Sequence, residues 1–162
     1  IFDNILVAYN DGYNEEARRN MLHASYKAGI AFSKSYVGYV HAVAHSLGGC
    51  YNVPHGLANA VLLPFVLEAY GKKAEKPLAK LAYHIHLVSE ITPQDEAAKA
   101  FIQMIKDMKK KLNIGDTIEG IKEEDIKKLS KYADKEANPL YPVPKLMNAK
   151  ELQQFYYKVM EK

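Results

Sequence analysis

An all-α chain of several helices is what this sequence predicts, on three observations. Apolar residues recur at intervals of three and four along most of the chain, no useful stretch alternates apolar with polar residues, and Gly, Pro, Asn and Asp punctuate the periodic runs. At 162 residues the chain suits one domain and is long enough to bury a core. The composition, 48% hydrophobic and 25% charged, is that of an ordinary globular protein.

The remaining bulk properties mainly exclude. A net charge of +3 with acids and bases interleaved gives no case for a nucleic-acid partner. No run approaches the roughly 18 apolar residues that span a bilayer, and the start lacks the basic region and cleavage site of a signal peptide, so no membrane partner is expected. The single cysteine, Cys50, rules out an internal disulfide and points to a cytoplasmic setting. The first residue is Ile1 rather than methionine, so further chain is expected upstream.

Residues 1–9 carry apolar side chains at 1, 2, 5, 6 and 9, a helical spacing that ends at the turn signal Asn10-Asp11-Gly12. Asn14 followed by Glu15 and Glu16 reads as an N-cap with acids in the first turn. The run 17–33 then places Met21, Leu22, Ala28, Gly29 and Phe32 on a stripe that predicts a core helix, its small residues suggesting close approach of another helix. His23 lies beside that stripe and reads as structural.

The stretch 38–64, GYVHAVAHSLGGCYNVPHGLANAVLLP, holds three of the six histidines. If residues 39–47 are helical, His41 and His45, four apart, leave the same face one turn from each other. Gly48-Gly49 predicts the end of that helix and a turn through Cys50 and Val53. Pro54 before the apolar run 57–70 marks a helix start and puts His55 in or just before its first turn. There the free backbone N–H groups disfavour imidazolium and favour the neutral ring a metal needs. Spacing alone leaves a metal or catalytic site and hydrogen-bonded structural histidines evenly balanced. The residues between His41 and His45 are Ala42, Val43 and Ala44, so no glutamate base is present for zinc-peptidase chemistry. Cys50, in the turn, reads as a small buried hydrophobe ahead of a ligand or reactive thiol.

The apolar run 57–70 predicts a helix buried on most of its surface and kinked at Pro64, with Asn59 as the polar side chain needing a partner, either local backbone or a group on the ligand side. Residues 77–89 predict an amphipathic helix with Leu78, Leu81, Ala82, Ile85 and Val88 inward. On it His84 and His86 would diverge by about 200° and could not share an ion. Pro93 opens a helix to about residue 112, whose lysine-rich end suits the negative terminus. A short helix is expected over 122–132, an extended surface segment over 134–144 because of Pro139, Pro142 and Pro144, and a last helix from the cap Asn148 to Met160.

Stretch 38–64 closely resembles the histidine signature of the iron-containing (group III) alcohol dehydrogenases. Its landmarks are Gly38, His41, His45, Pro54, His55, Gly56, Asn59 and Leu62-Leu63-Pro64, with a ten-residue step from His45 to His55. Upstream, Ala17-Arg18, Met21 and the string ASYKAGIAF at 24–32 are similar to the same family, and Ala137-Asn138-Pro139, Pro142, Pro144 and the helix from Asn148 resemble its tail more loosely.

The resemblance implies an all-α, multi-helix domain of the dehydroquinate synthase-like C-terminal type over residues 1–162, with the N-terminal nicotinamide-binding domain outside this chain. No G-x-G-x-x-G phosphate loop is present, and no cofactor-binding residue is assigned. By resemblance His41 and His55 are metal ligands, and His45 is a catalytic residue between the metal and the nicotinamide. The family's other two ligands, an aspartate and a histidine spaced D-x-x-x-H, would precede residue 1.

The implied cofactors are iron(II), with zinc equally acceptable to the ligand chemistry, and NAD or NADP held mainly by the other domain. The implied reaction is metal-assisted hydride transfer between small primary alcohols and aldehydes, with His45 relaying a proton or orienting substrate. The partners are that substrate and the N-terminal domain, with a homo-oligomer left open. The chain alone is expected to fold but not to catalyse. Two alternatives stand beside this. One is a zinc-dependent, glycerol-type polyol dehydrogenase domain, which the ten-residue step and Leu-Leu-Pro disfavour. The other is a non-enzymatic helical domain for packing or oligomerisation.

Overall fold

The structure, a computed structural model, describes residues 1–161 and is all-α over them, with eight helices. Pairing of extended chain is confined, among the described residues, to an isolated bridge between Ile118 and Met160. The chain divides into two compact units, Ile1–Val37 and Gly38–Lys162.

The first unit is a pair of helices, α1 (Ile5–Asn10) and α2 (Glu15–Ser35). Asn14 caps α2 as expected, its side chain accepting from the Ala17 N–H, and Glu15 and Glu16 complement the positive helix end. Asn20 Nδ2 donates to Asn4 Oδ1 at 3.1 Å and ties the two helices. The expectation of a core helix over 17–33 is not met. Of α2 only Ala17 is buried, while Leu22 is 69% and Phe32 55% exposed. A Cβ built on Gly29 meets nothing within 4 Å, so at that residue no other helix makes the close approach expected. Periodicity identifies the face a helix can bury; it carries no information on whether a layer covers it.

The second unit holds α3 (Tyr39–Tyr51), α4 (His55–Tyr70), α5 (Lys72–His84), α6 (Gln94–Lys111), α7 (Glu123–Ala137) and α8 (Ala149–Val159). Helix α3 packs on α4 and α7, α7 on α8, and α4 also on α6 and α8, while α5 and α6 form a closely packed pair. The core where α3, α4, α7 and α8 meet contains Val43, Leu47, Leu62, Leu129, Leu152 and Phe155, all fully buried. Each such side chain contributes roughly 1.5–3 kcal/mol through burial.

Two buried tyrosines lock this core through their hydroxyls. Tyr39 Oη accepts from the Met147 N–H at 2.9 Å and donates to Asn138 Oδ1 at 2.8 Å. Ser46 Oγ donates to the Val43 carbonyl, so the Tyr156 hydroxyl, 2.6 Å away, donates to Ser46. Burial pushes the Tyr156 pKa well up, which keeps that hydroxyl a donor.

Several boundaries differ from the sequence expectation, each for a local reason. Helix α3 runs through Gly48-Gly49 and ends at Asn52, which adopts the left-handed conformation with φ 56°. Two glycines cost about 1 kcal/mol each in a helix, a modest sum beside the burial of α3. Gly48 lies where a Cβ would come 3.5 Å from the Val53 carbonyl, close to the returning chain. Helix α5 starts at Lys72, because Gly71 at φ 54° turns the chain one residue after α4 ends, and Pro77 lies inside the helix. Leu81, expected inward, is 47% exposed. Pro64 is likewise held inside α4, where it is buried.

The segment expected to be extended from 134 is helical to Ala137, with Ala133 and Ala137 fully buried. Core burial overrides the pull of the prolines that follow. Asn148 opens α8 with a complete capping box to Glu151, as its sequence foretells.

Candidate metal centre and catalytic site

Helix α3 is two-sided. Tyr39, Ala42, Val43, Ala44, Ser46 and Leu47 are buried, which fixes its rotation and leaves His41 half-buried and His45 exposed. The left-handed Asn52 then turns the chain, and Pro54 feeds directly into α4, whose first residue is His55. The three rings converge. The centroids of His41 and His45 are 5.9 Å apart, those of His41 and His55 5.4 Å, and those of His45 and His55 5.2 Å with the rings stacked at 22°.

The electrostatics favour neutral imidazole at the inner position. Burial lowers the His41 pKa below its ordinary value of 6.5, the neighbouring His55 and His45 lower it further, and Glu136 opposes them. A neutral ring retains the lone pair that a metal takes. Asn59 supports His55: its Nδ2 donates to the His55 carbonyl at 2.8 Å and lies 3.0 Å from His55 Nε2. Both partners considered for Asn59, local backbone and a site group, are therefore used. Its Oδ1 is buried without a partner, a polar atom left over beside the histidines.

His45 has a further partner. Its Nδ1 lies 2.7 Å from Glu136 Oε1 on α7, and the same oxygen accepts from the Tyr141 hydroxyl at 2.9 Å. Burial, then the Glu136 hydrogen bond and charge, push the Tyr141 pKa up to about 12, so that hydroxyl stays protonated and donating. Beside His45 and Glu136 opens a cleft of about 420 Å³, also lined by Cys50, Lys128 and Tyr132. Cys50 is exposed, not the buried hydrophobe expected, because α3 continues through the diglycine and carries it to the helix surface. His23, His84 and His86 are exposed and take no part; His86, at φ 55°, lies beyond α5 altogether.

The His41 and His55 rings, 5.4 Å apart between centroids and tilted at 49°, are of the donor type that a divalent ion of borderline softness accepts, and as two imidazoles they would make at most a partial ligand set. Among the described residues no group of three His, Cys, Asp or Glu could hold a metal ion alone.

Sequence reasoning singled out all three histidines and missed Glu136 and Tyr141. Glu136 stands 91 positions from His45, and no local periodicity links residues so far apart.

The profile of the Fe-containing alcohol dehydrogenase family, C-terminal part, matches residues 1–160. The chain belongs to the iron-containing alcohol dehydrogenase family. Within that family it is 41% identical over 135 residues to alcohol dehydrogenase 4 of Saccharomyces cerevisiae, covering 82% of this chain and 34% of that protein. It is 35% identical over 155 residues to 1,3-propanediol dehydrogenase of Citrobacter freundii, covering 94% of this chain and 40% of that one. The crystal structure of a 1,3-propanediol oxidoreductase superposes with a TM-score of 0.88 at 33% identity, covering 96% of this chain and 41% of that chain. This family member thus spans about a third to two-fifths of the length of those relatives.

Proposed function

We propose that this chain is the helical, metal-bearing part of an NAD(P)-dependent dehydrogenase that interconverts small primary alcohols and aldehydes. The observation that carries the reading is the convergence of the His41, His45 and His55 rings within 5.2 to 5.9 Å, delivered by one helix and the start of the next. In this proposal His41 and His55 hold a divalent ion, iron(II) or zinc, together with ligands from the rest of the enzyme. That ion supplies Lewis-acid polarisation of the alcohol or carbonyl oxygen.

The chain's own residues do the rest. Depressed basicity keeps His41 neutral and ready to bind, and Asn59 anchors His55 through its carbonyl. His45, with Nδ1 engaged by Glu136, presents Nε2 to accept the alcohol proton as hydride leaves for the nicotinamide, and returns it in the reverse direction. The nicotinamide cofactor is bound by a separate domain, so the 162-residue chain alone oxidises no alcohol.

Titration calorimetry with zinc tests the ligand assignment. Each of His41→Ala and His55→Ala should weaken zinc binding at least about 10-fold, and His84→Ala should leave it unchanged. Equal affinity in all four proteins would refute it. Alcohol-dependent reduction of NAD by the chain on its own would refute the division of labour between domains.

A further inference from the structure

We propose that Glu136 is a positioning residue for His45: it fixes the tautomer with the proton on Nδ1 and so reserves Nε2 for the proton exchanged with substrate. The carboxylate has only acceptor atoms, so the 2.7 Å contact to Nδ1 requires Nδ1–H as donor. In a neutral ring the other nitrogen then carries the lone pair. The distance is that of a charge-assisted hydrogen bond.

An exposed pair of this kind is often incidental, and the side chains here are 42% and 33% exposed. Three features set this one apart. The Tyr141 hydroxyl donates to the same Oε1, which leaves Glu136 one favourable orientation. Buried Leu129, Ala133 and Ala137 fix α7 on the turns around Glu136. The two helices are also joined at a second point, where Tyr39, the first residue of α3, donates to Asn138 at the end of α7. His45 and Glu136 therefore meet between elements already held in register. The chain Tyr141, Glu136, His45 resembles in logic any arrangement in which a carboxylate orients a working imidazole.

The role in catalysis rests on the dehydrogenase reading above; the tautomer does not, which allows the two to fail separately. The test is long-range proton–nitrogen correlation spectroscopy of the nitrogen-labelled 162-residue chain, with no metal, cofactor or alcohol added. His45 should show a protonated Nδ1 and a lone-pair Nε2. Glu136→Ala should move the proton to Nε2, and Glu136→Gln, whose amide oxygen still accepts, should keep it on Nδ1. A proton on Nε2 in the unaltered chain, or an unchanged His45 in Glu136→Ala, overturns the proposal. The unaltered chain decides by itself if the variant does not fold.

In the complete metal-loaded enzyme, Glu136→Ala should lower kcat about 10-fold or more with KM little changed, and Glu136→Gln should recover part of the loss. An unchanged kcat overturns the positioning role even where the tautomer is as stated. An enzyme with no alcohol turnover in any form removes the dehydrogenase reading and leaves the spectroscopic result standing.

Discussion

Replacing Tyr39 with phenylalanine removes one oxygen and keeps the ring, so it isolates the hydroxyl that ties α3 to the end of α7. Tyr39 is fully buried, and its hydroxyl accepts from the Met147 N–H and donates to Asn138 Oδ1. In the variant both partners lose their bond. Met147 is 1% exposed, so its N–H stays dry and incurs the desolvation penalty of an unmade hydrogen bond, about 1–3 kcal/mol. Asn138 is half-buried and can recruit water, which puts its loss near 1 kcal/mol. The sum is about 2–4 kcal/mol, a large part of the roughly 5–15 kcal/mol that holds a domain folded.

The chain has no tryptophan, so urea unfolding followed by far-UV circular dichroism is the suitable assay, with the m-value held constant between proteins. Tyr26→Phe, at a residue 71% exposed, serves as control and should stay within about 0.5 kcal/mol. A Tyr39→Phe loss no larger than that control would show that the hydroxyl is not a structural tie.

Other perturbations separate the core from the surface. Leu62→Ala, at a fully buried position, should cost about 2–5 kcal/mol, whereas Leu22→Ala, at a 69% exposed one, should cost under about 0.5 kcal/mol in the same urea assay. Asn148→Ala removes the cap and the box with Glu151 and should cost about 1 kcal/mol. The His41 pKa is lowered in the folded chain, so the unfolded chain binds the extra proton first as pH falls below about 6.5. Stability of the metal-free chain should therefore be full above that pH and decline as pH drops from it toward the depressed folded value. His41→Gln should flatten that slope, and a slope identical in both proteins would dismiss His41 as its source.

The histidine cluster is legible in the sequence because its signals are local. His41 and His45 share a helical face by spacing, and Pro54 announces the start of α4, so three histidines are placed from fifteen consecutive residues. The caps Asn14 and Asn148 are legible for the same reason, since each acts on the next turn. What escaped is set by contacts distant in sequence. Gly48-Gly49 looked like a stop because intrinsic propensity is all a local reading weighs, whereas the buried face of α3 carries the helix on to Tyr51. The prolines at 139, 142 and 144 hid the last turn of α7, and with it Glu136. The stripe on α2 was seen, but a stripe does not disclose its cover.

The thirteen residues of α3 both anchor the interior and display His41 and His45. Rotating that helix by a single residue, about 100°, would swing Val43 and Leu47 toward water and drive an imidazole into the hydrocarbon packing. The chemistry can therefore not be retuned by nudging α3. Variation that shifts the imidazoles without disturbing the interior has to come from side chains that reach water, such as exposed His55 at the start of α4 or half-buried Glu136 on the last turn of α7, and not from Ala137 beside it, which is fully buried.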